Sequence, residues 1–492
     1  MTMHVRPFPR AGGWELPSSL DGLVPADHPV RFVAAYIDSL TPTEWKMLGI
    51  AWQEGGLGSH GYHPVILLGA WLWGFMSGTR SSRRLEAACQ DQLAMLWLTG
   101  GQQPDHNTLW RFYQGHRAGM RYLLTDTVRL AVRMQLVDLA VAAVDGTKVS
   151  GNAARDRSYT SAGLERLLER TEQAIADLEA QNATDDAPPP PRLPKDLAST
   201  KALAERIRTA QAELAELGDR SRINLTDADA RLMPSRHGFV AGYNCQGVVS
   251  PLTTAAAETP SGMLITAADV TTDPADQGHL VPMLQDAAGA TGQHAEHGLA
   301  DACYASCATL TACSEAGIGI VMPADSAGPG AITIDHPYHR SRFVHDEATD
   351  TYQCPEGQTL TFSGLHERSG HTTTRRYAAG RQTCLACPAF GRCTKDRHKG
   401  RVIEVPVEDA IVTTHRAWMQ TEQAKTLYGR RKELVEPVFG IIKEQQGLRR
   451  FLLRSRTNVT SEWKLLATAF NLRTLARLWQ RYPALLTRPI GS

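Results

Sequence analysis

Twice along this chain a short apolar run stops abruptly at an aspartate. Leu139-Ala-Val-Ala-Ala-Val144 gives way to Asp145-Gly-Thr-Lys148, and Gly298-Leu-Ala300 gives way to Asp301-Ala-Cys-Tyr304. Runs this short, the first carrying β-branched residues, read as buried strands rather than helices. Each therefore places an acid at the C-terminal end of a strand, the end that faces the ligand crevice in α/β sheets. Further strands are predicted over Phe239–Val249 and Met263–Val270, and helices from Ala275 to Ala287 and from Ala305 to Ala316, before an apolar run at Ile318–Met322. Strands early and strand–helix alternation later predict an α/β domain on a mixed sheet.

At 492 residues the chain is too long for one ordinary domain. Residues 1–135 read as mainly helical. Pro64–Met76 is apolar almost all round, which suits a buried helix. A turn then carries Arg80, Arg83 and Arg84, an amphipathic stretch runs from Leu85 to Leu98, and Asp105 can cap a helix through Trp110, Arg111 and Phe112. Short helices with an Arg-bearing later member are compatible with DNA binding, although the residues alone favour a plain bundle. Between the first two strands, residues 162–218 repeat leucine and isoleucine at helical spacing on both sides of Pro188–Pro191, predicting an antiparallel helical hairpin. Such a hairpin suits self-association or a surface decoration.

The charge balance of 52 basic against 51 acidic residues carries no global polyanion signal, so nucleic acid would have to be met by local patches. One such patch is 430–456, with eight Lys/Arg against three Glu inside a helical block from Arg416 to Tyr482. No apolar run has the length of a membrane span or the form of a signal peptide, which predicts a soluble, cytoplasmic protein.

Asp145 and Asp301 together offer oxygen ligands for divalent cations, although an aspartate after a strand also starts turns. Glu436 and Lys443 are seven residues apart in Tyr428-Gly-Arg-Arg-Lys-Glu-Leu-Val-Glu-Pro-Val-Phe-Gly-Ile-Ile-Lys443 and so share a helix face. Pro437 predicts a kink or restart there. Of the nine cysteines, Cys89, Cys245, Cys303, Cys307 and Cys313 read as buried thiols. Cys354, Cys384, Cys387 and Cys393 include a Cys-x-x-Cys pair and can supply tetrahedral thiolate zinc, the alternatives being disulfides or unrelated thiols. The stretch Gln358–Gln382 is polar and predicted to lack a core of its own, so that its order would come from the metal.

The segments VDGTKV, ADACYAS and YGRRKELVEPVFGIIK, in that order, together resemble the bacterial insertion-sequence DDE transposases of the branch with a Tyr/Arg/Glu/Lys signature helix. HPVILLGAWLWGFMSGTRSSRRLEAAC, PDHNTLWRF and RLMPSRHGFVAGYNCQGVV are similar to that family as well, so the resemblance covers most of the chain outside the hairpin and the extreme termini. It implies a ribonuclease-H-like core over 136–345 and 401–482, interrupted by the hairpin and by a Cys-rich, zinc-binding insert at 346–400, and preceded by a DNA-binding domain at 1–135. It further implies that Asp145, Asp301 and Glu436 are catalytic and bind two Mg²⁺ (or Mn²⁺) ions. Paired metals activate the nucleophile and stabilise the leaving oxygen when a phosphodiester is cut and joined. Four residues separate Arg431 from Glu436 where the family has three, which leaves Glu433 as a rival acid. The implied partner is double-stranded DNA at transposon ends and target, bound by a homodimer or higher oligomer. Arg80, Arg83, Arg84, Arg111, Arg431, Lys443, Arg449 and Arg450 are the expected DNA contacts. A stand-alone metal-dependent nuclease and a catalytically silent DNA-binding regulator are the competing functions.

Overall fold

The computed structural model describes residues 19–53, 61–182, 195–218, 221–235, 238–253, 262–323, 336–368, 372–394, 398–407 and 410–483. The described N-terminal residues form α1 (Pro29–Asp38), α2 (Pro42–Met47), α3 (Pro64–Met76), α4 (Ser82–Asp91), α5 (Leu93–Leu98), α6 (His106–His116) and α7 (Tyr122–Arg133). Proline opens α1, α2 and α3 at positions whose N–H has no helical partner anyway. Asp105 caps α6 by accepting from the Asn107 and Thr108 N–H groups, as its sequence predicts. The amphipathic stretch expected as one element divides at Gln92 into α4 and α5.

β1 (Val141–Ser150) does not stop at Asp145, as the sequence suggests; it continues for five more residues. After it come β2 (Ser158–Tyr159), the hairpin α8 (Ser161–Asn182) and α9 (Lys195–Leu217), and β3 (Ile223–Asn224), which pairs with β2 at the hairpin's base. Pro188–Pro191 lie outside the described residues. Then follow β4 (Arg231–Ser235), β5 (Gly238–Leu252), β6 (Gly262–Thr271), α10 (Leu280–Thr291), β7 (His297–Leu299), α11 (Cys307–Glu315) and β8 (Ile320–Val321). α10 begins at Leu280 rather than Ala275.

These strands make one sheet in the order β4-β5-β1-β7-β8, with β6 also paired to β5. β1 is antiparallel to β5 and parallel to β7, and β7 is parallel to β8. This is a mixed α/β architecture consistent with a ribonuclease-H-like core. The extension of β1 past Asp145 is fixed by its partner, since Asp145 lies opposite Gly247 and Lys148 opposite Asn244.

Strand alternation sorts β1 between two layers. Val141, Ala143 and Val149 join the cluster that includes α14 (Glu422–Glu444) and α15 (Arg456–Arg481), whereas Ala142 and Val144 join the cluster formed with α10 and α11. α15 is the central beam. Trp463, Leu466, Phe470 and Leu475 are buried along it, and it packs on β6, α7, α3 and α1. The N-terminal helices therefore share one apolar core with the sheet. Asn471 adds specificity on α15: its side chain exchanges hydrogen bonds with both backbone groups of Ile265 on β6, at 2.8 and 2.9 Å, and so satisfies polar groups along that strand.

Residues 344–406 form a second, antiparallel sheet in the order β13-β12-β11-β10-β9, from β9 (Val344–Asp346), β10 (Thr351–Gln353), β11 (Thr359–Arg368), β12 (Thr372–Ala378) and β13 (Val402–Pro406), with a short α12 (Arg381–Leu385). The sequence predicts too little apolar content for a core within Gln358–Gln382, and that stretch buries only Leu360, Tyr377 and Ala379; they cluster under the sheet with Phe343, Cys384 and Ile403 from outside it. They are few and far apart in sequence, which hides the pattern. α13 (Ala410–Met419) leads into α14, which runs unbroken through Pro437. Among the described residues no helix is long and apolar enough to cross a membrane.

Candidate functional site

Four consecutive residues of β1 build most of the site, two on each face of the strand. Asp145 and Thr147 point toward α14. Arg431 of α14 places its Nη2 3.1 Å from Asp145 Oδ1, and Lys443 of α14 donates from Nζ to Thr147 Oγ1 at 2.5 Å. Between these contacts the Phe439 ring of α14 lies over Gly247, opposite Asp145, at the distance of ordinary van der Waals contact from where a Cβ would sit. On the other face Gly146 and Lys148 lie opposite Gln246 and Asn244 of β5, and Lys148 pairs with Asp276 at 3.1 Å.

Asp301 arrives from β7, distant from β1 in sequence but its parallel neighbour in the sheet. It follows β7, caps the turn Ala302–Tyr304 by accepting from the Cys303 N–H, and lies 3.5 Å from the same Arg431 Nη2. One guanidinium nitrogen thus stands between the two aspartates. Arg431 is buried, and its Nε has no hydrogen-bond partner among the described residues. Burial pushes the Asp145 carboxyl up to about 6; Arg431 opposes that shift, while the nearby Asp301 and Asp276 carboxylates reinforce it. Tyr428, one turn before Arg431, is raised by burial and borders the same charges.

Glu436 is exposed on α14, five residues after Arg431 and seven before Lys443, so that it shares the helix face of Lys443. Glu433 is exposed too. Neither is drawn to the Asp145–Asp301 pair, and among the described residues no three His, Cys, Asp or Glu side chains are gathered as a metal site.

The basic residues divide into two sets. Arg83, Arg84, Arg111, Arg449 and Arg450 are exposed, with Arg449 paired to Glu444. Two residues expected to face DNA do not: Arg431 is enclosed as described, and Arg80 is buried against Glu462 at 2.7 Å while donating to the Gly447 and Arg450 carbonyls. Arg80 thereby ties the turn after α3 to the segment between α14 and α15. An arginine in a basic turn gives no sequence sign of this, because its partner is 382 residues away.

The four clustered cysteines line one cavity of about 20 Å³ together with Tyr338, Phe343 and Arg401. Backbone N–H groups of Gln358 and Arg401 donate to the sulfurs of Cys354 and Cys384 at 3.3 and 3.2 Å. Burial raises the Cys393 thiol; Arg401 opposes this, and the other three sulfurs reinforce it. The sulfurs thus face one space without closing into a coordination shell. Of the other five cysteines, Cys89, Cys245 and Cys313 are buried as expected, but Cys307 is half-buried and Cys303, two residues after Asp301, is exposed.

Sequence reasoning missed Lys148, Asn244, Gln246, Asp276 and Tyr304 as a connected group. A signal was present: Asn244 and Gln246 alternate as polar residues within an otherwise apolar strand, and both are fully enclosed.

Residues 353–476 match the transposase DDE domain, and residues 18–115 match the transposase domain DUF772. The first match contains Glu436, Lys443 and the four clustered cysteines, and the second contains Arg80, Arg83, Arg84 and Arg111; Asp145 and Asp301 lie outside both. No curated protein matches the chain. Together the two matches support an insertion-sequence DDE transposase.

Proposed function

We propose, from those two transposase matches, that the chain cleaves DNA at the ends of an insertion sequence and joins them to a target, with Asp145, Asp301 and Glu436 as its catalytic acids. The observation that carries this reading is the meeting of Asp145 and Asp301 at one cation of α14, the helix that also bears Glu436 and Lys443. Transposase DDE domains generally use divalent metal ions. The residues here fit such ions, because the donors are hard carboxylate oxygens and the space between two of them already accommodates positive charge. Asp145 and Asp301 would hold Mg²⁺ or Mn²⁺, with Glu436 turning in from α14 to complete the set. Bound there, two ions would activate the attacking water or 3′-hydroxyl and stabilise the leaving oxygen.

The chain's own groups do the positioning. Arg431 holds the two aspartates together against their mutual repulsion. Lys443, tied to Thr147, pins the far end of α14 to β1 and brings positive charge beside the site. Arg83, Arg84, Arg111, Arg449 and Arg450 are placed to meet DNA phosphates, which position a duplex without reading its sequence. The Cys354, Cys384, Cys387 and Cys393 cavity would hold one structural Zn²⁺, since thiolates facing one space and accepting backbone N–H bonds suit that ion.

The test uses purified full-length chain, a duplex carrying the element's ends, and Mg²⁺ or Mn²⁺. Cleaved and strand-transferred products are expected, and Asp145→Asn, Asp301→Asn and Glu436→Gln should each abolish both while still binding DNA. Cleavage without joined product would make the chain a nuclease. Activity surviving in Glu436→Gln but not in Glu433→Gln would move the third role to Glu433.

A further inference from the structure

On the face of β1 turned away from α14, one carboxylate gathers most of the polar groups around it. Asp276, in the turn between β6 and α10, accepts from Lys148 Nζ on both oxygens at 3.1 Å, and from Asn244 Nδ2 at 2.7 Å and Gln246 Nε2 at 2.8 Å on Oδ1. Gln246 continues the chain of bonds. Its side-chain oxygen accepts from the Tyr304 hydroxyl and its backbone carbonyl from Trp463 Nε1 at 2.9 Å. A single group thus connects β1 three residues beyond Asp145 with the turn that follows Asp301.

Room for this arrangement exists only because residue 146 is glycine. A Cβ there would come within 2.4 Å of Gln246 Nε2 and 2.5 Å of Asp276 Oδ1. Just upstream on the same face, β1 presents Ala142 and Val144 to an apolar cluster, which would suffice if the layer needed only to be filled. A buried polar network is costly when incomplete and rigid when satisfied. This one begins where the strand passes the two aspartates.

We propose that Asp276 is a positioning residue of the metal site, fixing Asp145 and Asp301 relative to each other through Lys148, Asn244 and the Gln246–Tyr304 link. The inference rests on the transposase reading above. Asp276 acts through its neighbours and not as a ligand, because Lys148 neutralises it and three side chains already use its oxygens. Outer partners of this kind typically set metal affinity by about 10–100-fold.

The experiment measures Mn²⁺ affinity of the full-length chain from the electron paramagnetic resonance of free Mn²⁺, alongside metal-free DNA affinity. Asp276→Ala should weaken Mn²⁺ binding by about 10–100-fold and leave DNA affinity unchanged. The pair Asp276→Asn with Lys148→Met keeps an acceptor for the β5 amides and removes the unpaired ammonium, so it should restore most of the affinity; it also carries the test if Asp276→Ala fails to fold. Wild-type Mn²⁺ affinity in Asp276→Ala, with affinity lost in Asp145→Asn, would overturn the proposal alone. A paired variant as weak as Asp145→Asn would overturn it in favour of Asp276 as a direct ligand. Unchanged affinity in Asp145→Asn would bring down the catalytic reading itself, and this proposal with it.

Discussion

The central sheet and the insert sheet are held together in different ways. β1 and β5 are covered by α14 and α15 on one face and by α10 and α11 on the other, and their apolar cluster runs on into the N-terminal helices through Trp463, Leu466 and Phe470. The insert sheet rests on six buried side chains, one of them Cys384, beside a cavity lined by four sulfurs. A large continuous core can tolerate buried charge, and the central sheet carries Asp145, Arg431, Arg80 and Glu462 within or beside it. A small core cannot supply its own margin of stability. The insert is therefore the part of the molecule expected to depend on a metal for its order, whereas the central sheet is expected to use metal for chemistry and to fold without it.

The largest contrast is catalytic. Asp145→Ala or Asp301→Ala should lower DNA cleavage by about a thousandfold or more, since a metal ligand is lost at the reacting centre, and should leave hydrogen exchange across β9–β13 unchanged. Cys384→Ser should do the reverse to the insert: one zinc per chain disappears from elemental analysis, and hydrogen exchange speeds up across β9–β13 alone. Equal protection of β9–β13 in wild type and Cys384→Ser would erase the proposed difference between the sheets. Next comes packing. Trp463→Ala should destabilise the whole chain by about 3–5 kcal/mol, read as a shift of the main unfolding transition. Leu360→Ala, a truncation of the same kind, should loosen only the insert. A shift of the main transition by Leu360→Ala would show that the two cores unfold as one.

The smallest effect concerns pH and the N-terminal end of the shared core. Asp126 accepts from the Tyr36 hydroxyl at 2.7 Å, and burial, reinforced by Glu44, raises its carboxyl to about 6. An acid raised in the folded state binds its proton more tightly there than in the unfolded chain. Its contribution to stability is therefore present below about pH 4 and is lost as pH rises to about 6, by about 3 kcal/mol. Asp126→Asn keeps an acceptor for Tyr36 and should become more stable relative to wild type across that window, as followed by denaturant unfolding at successive pH values. No pH-dependent difference between the two would remove the buried charge from the account.

Much of the central sheet was legible in the sequence because its strands are apolar runs and its acids interrupt them. The hairpin was legible because leucines recur at helical spacing on both sides of a proline run. What escaped detection depended on distant partners. Gly-Thr-Lys after Asp145 reads as a turn, yet pairing with β5 keeps it extended, with Lys148 opposite Asn244. Arg80 reads as a surface charge until Glu462 is brought to it. Arg431 reads as a DNA contact until two aspartates close around it. The insert core escaped because Phe343, Leu360, Tyr377 and Ile403 are separated by polar strands and carry no period of their own.

The claim most exposed to direct test is that Asp145 and Asp301 form a divalent metal site now held together by Arg431. Crystals of the full-length chain soaked in Mn²⁺ and recorded at the manganese absorption edge would decide it. An anomalous peak is expected between the two carboxylates, with Arg431 no longer bridging them and the Glu436 carboxylate turned toward the ion. Manganese absent from that position, with Arg431 still between the aspartates at saturating Mn²⁺, would contradict it.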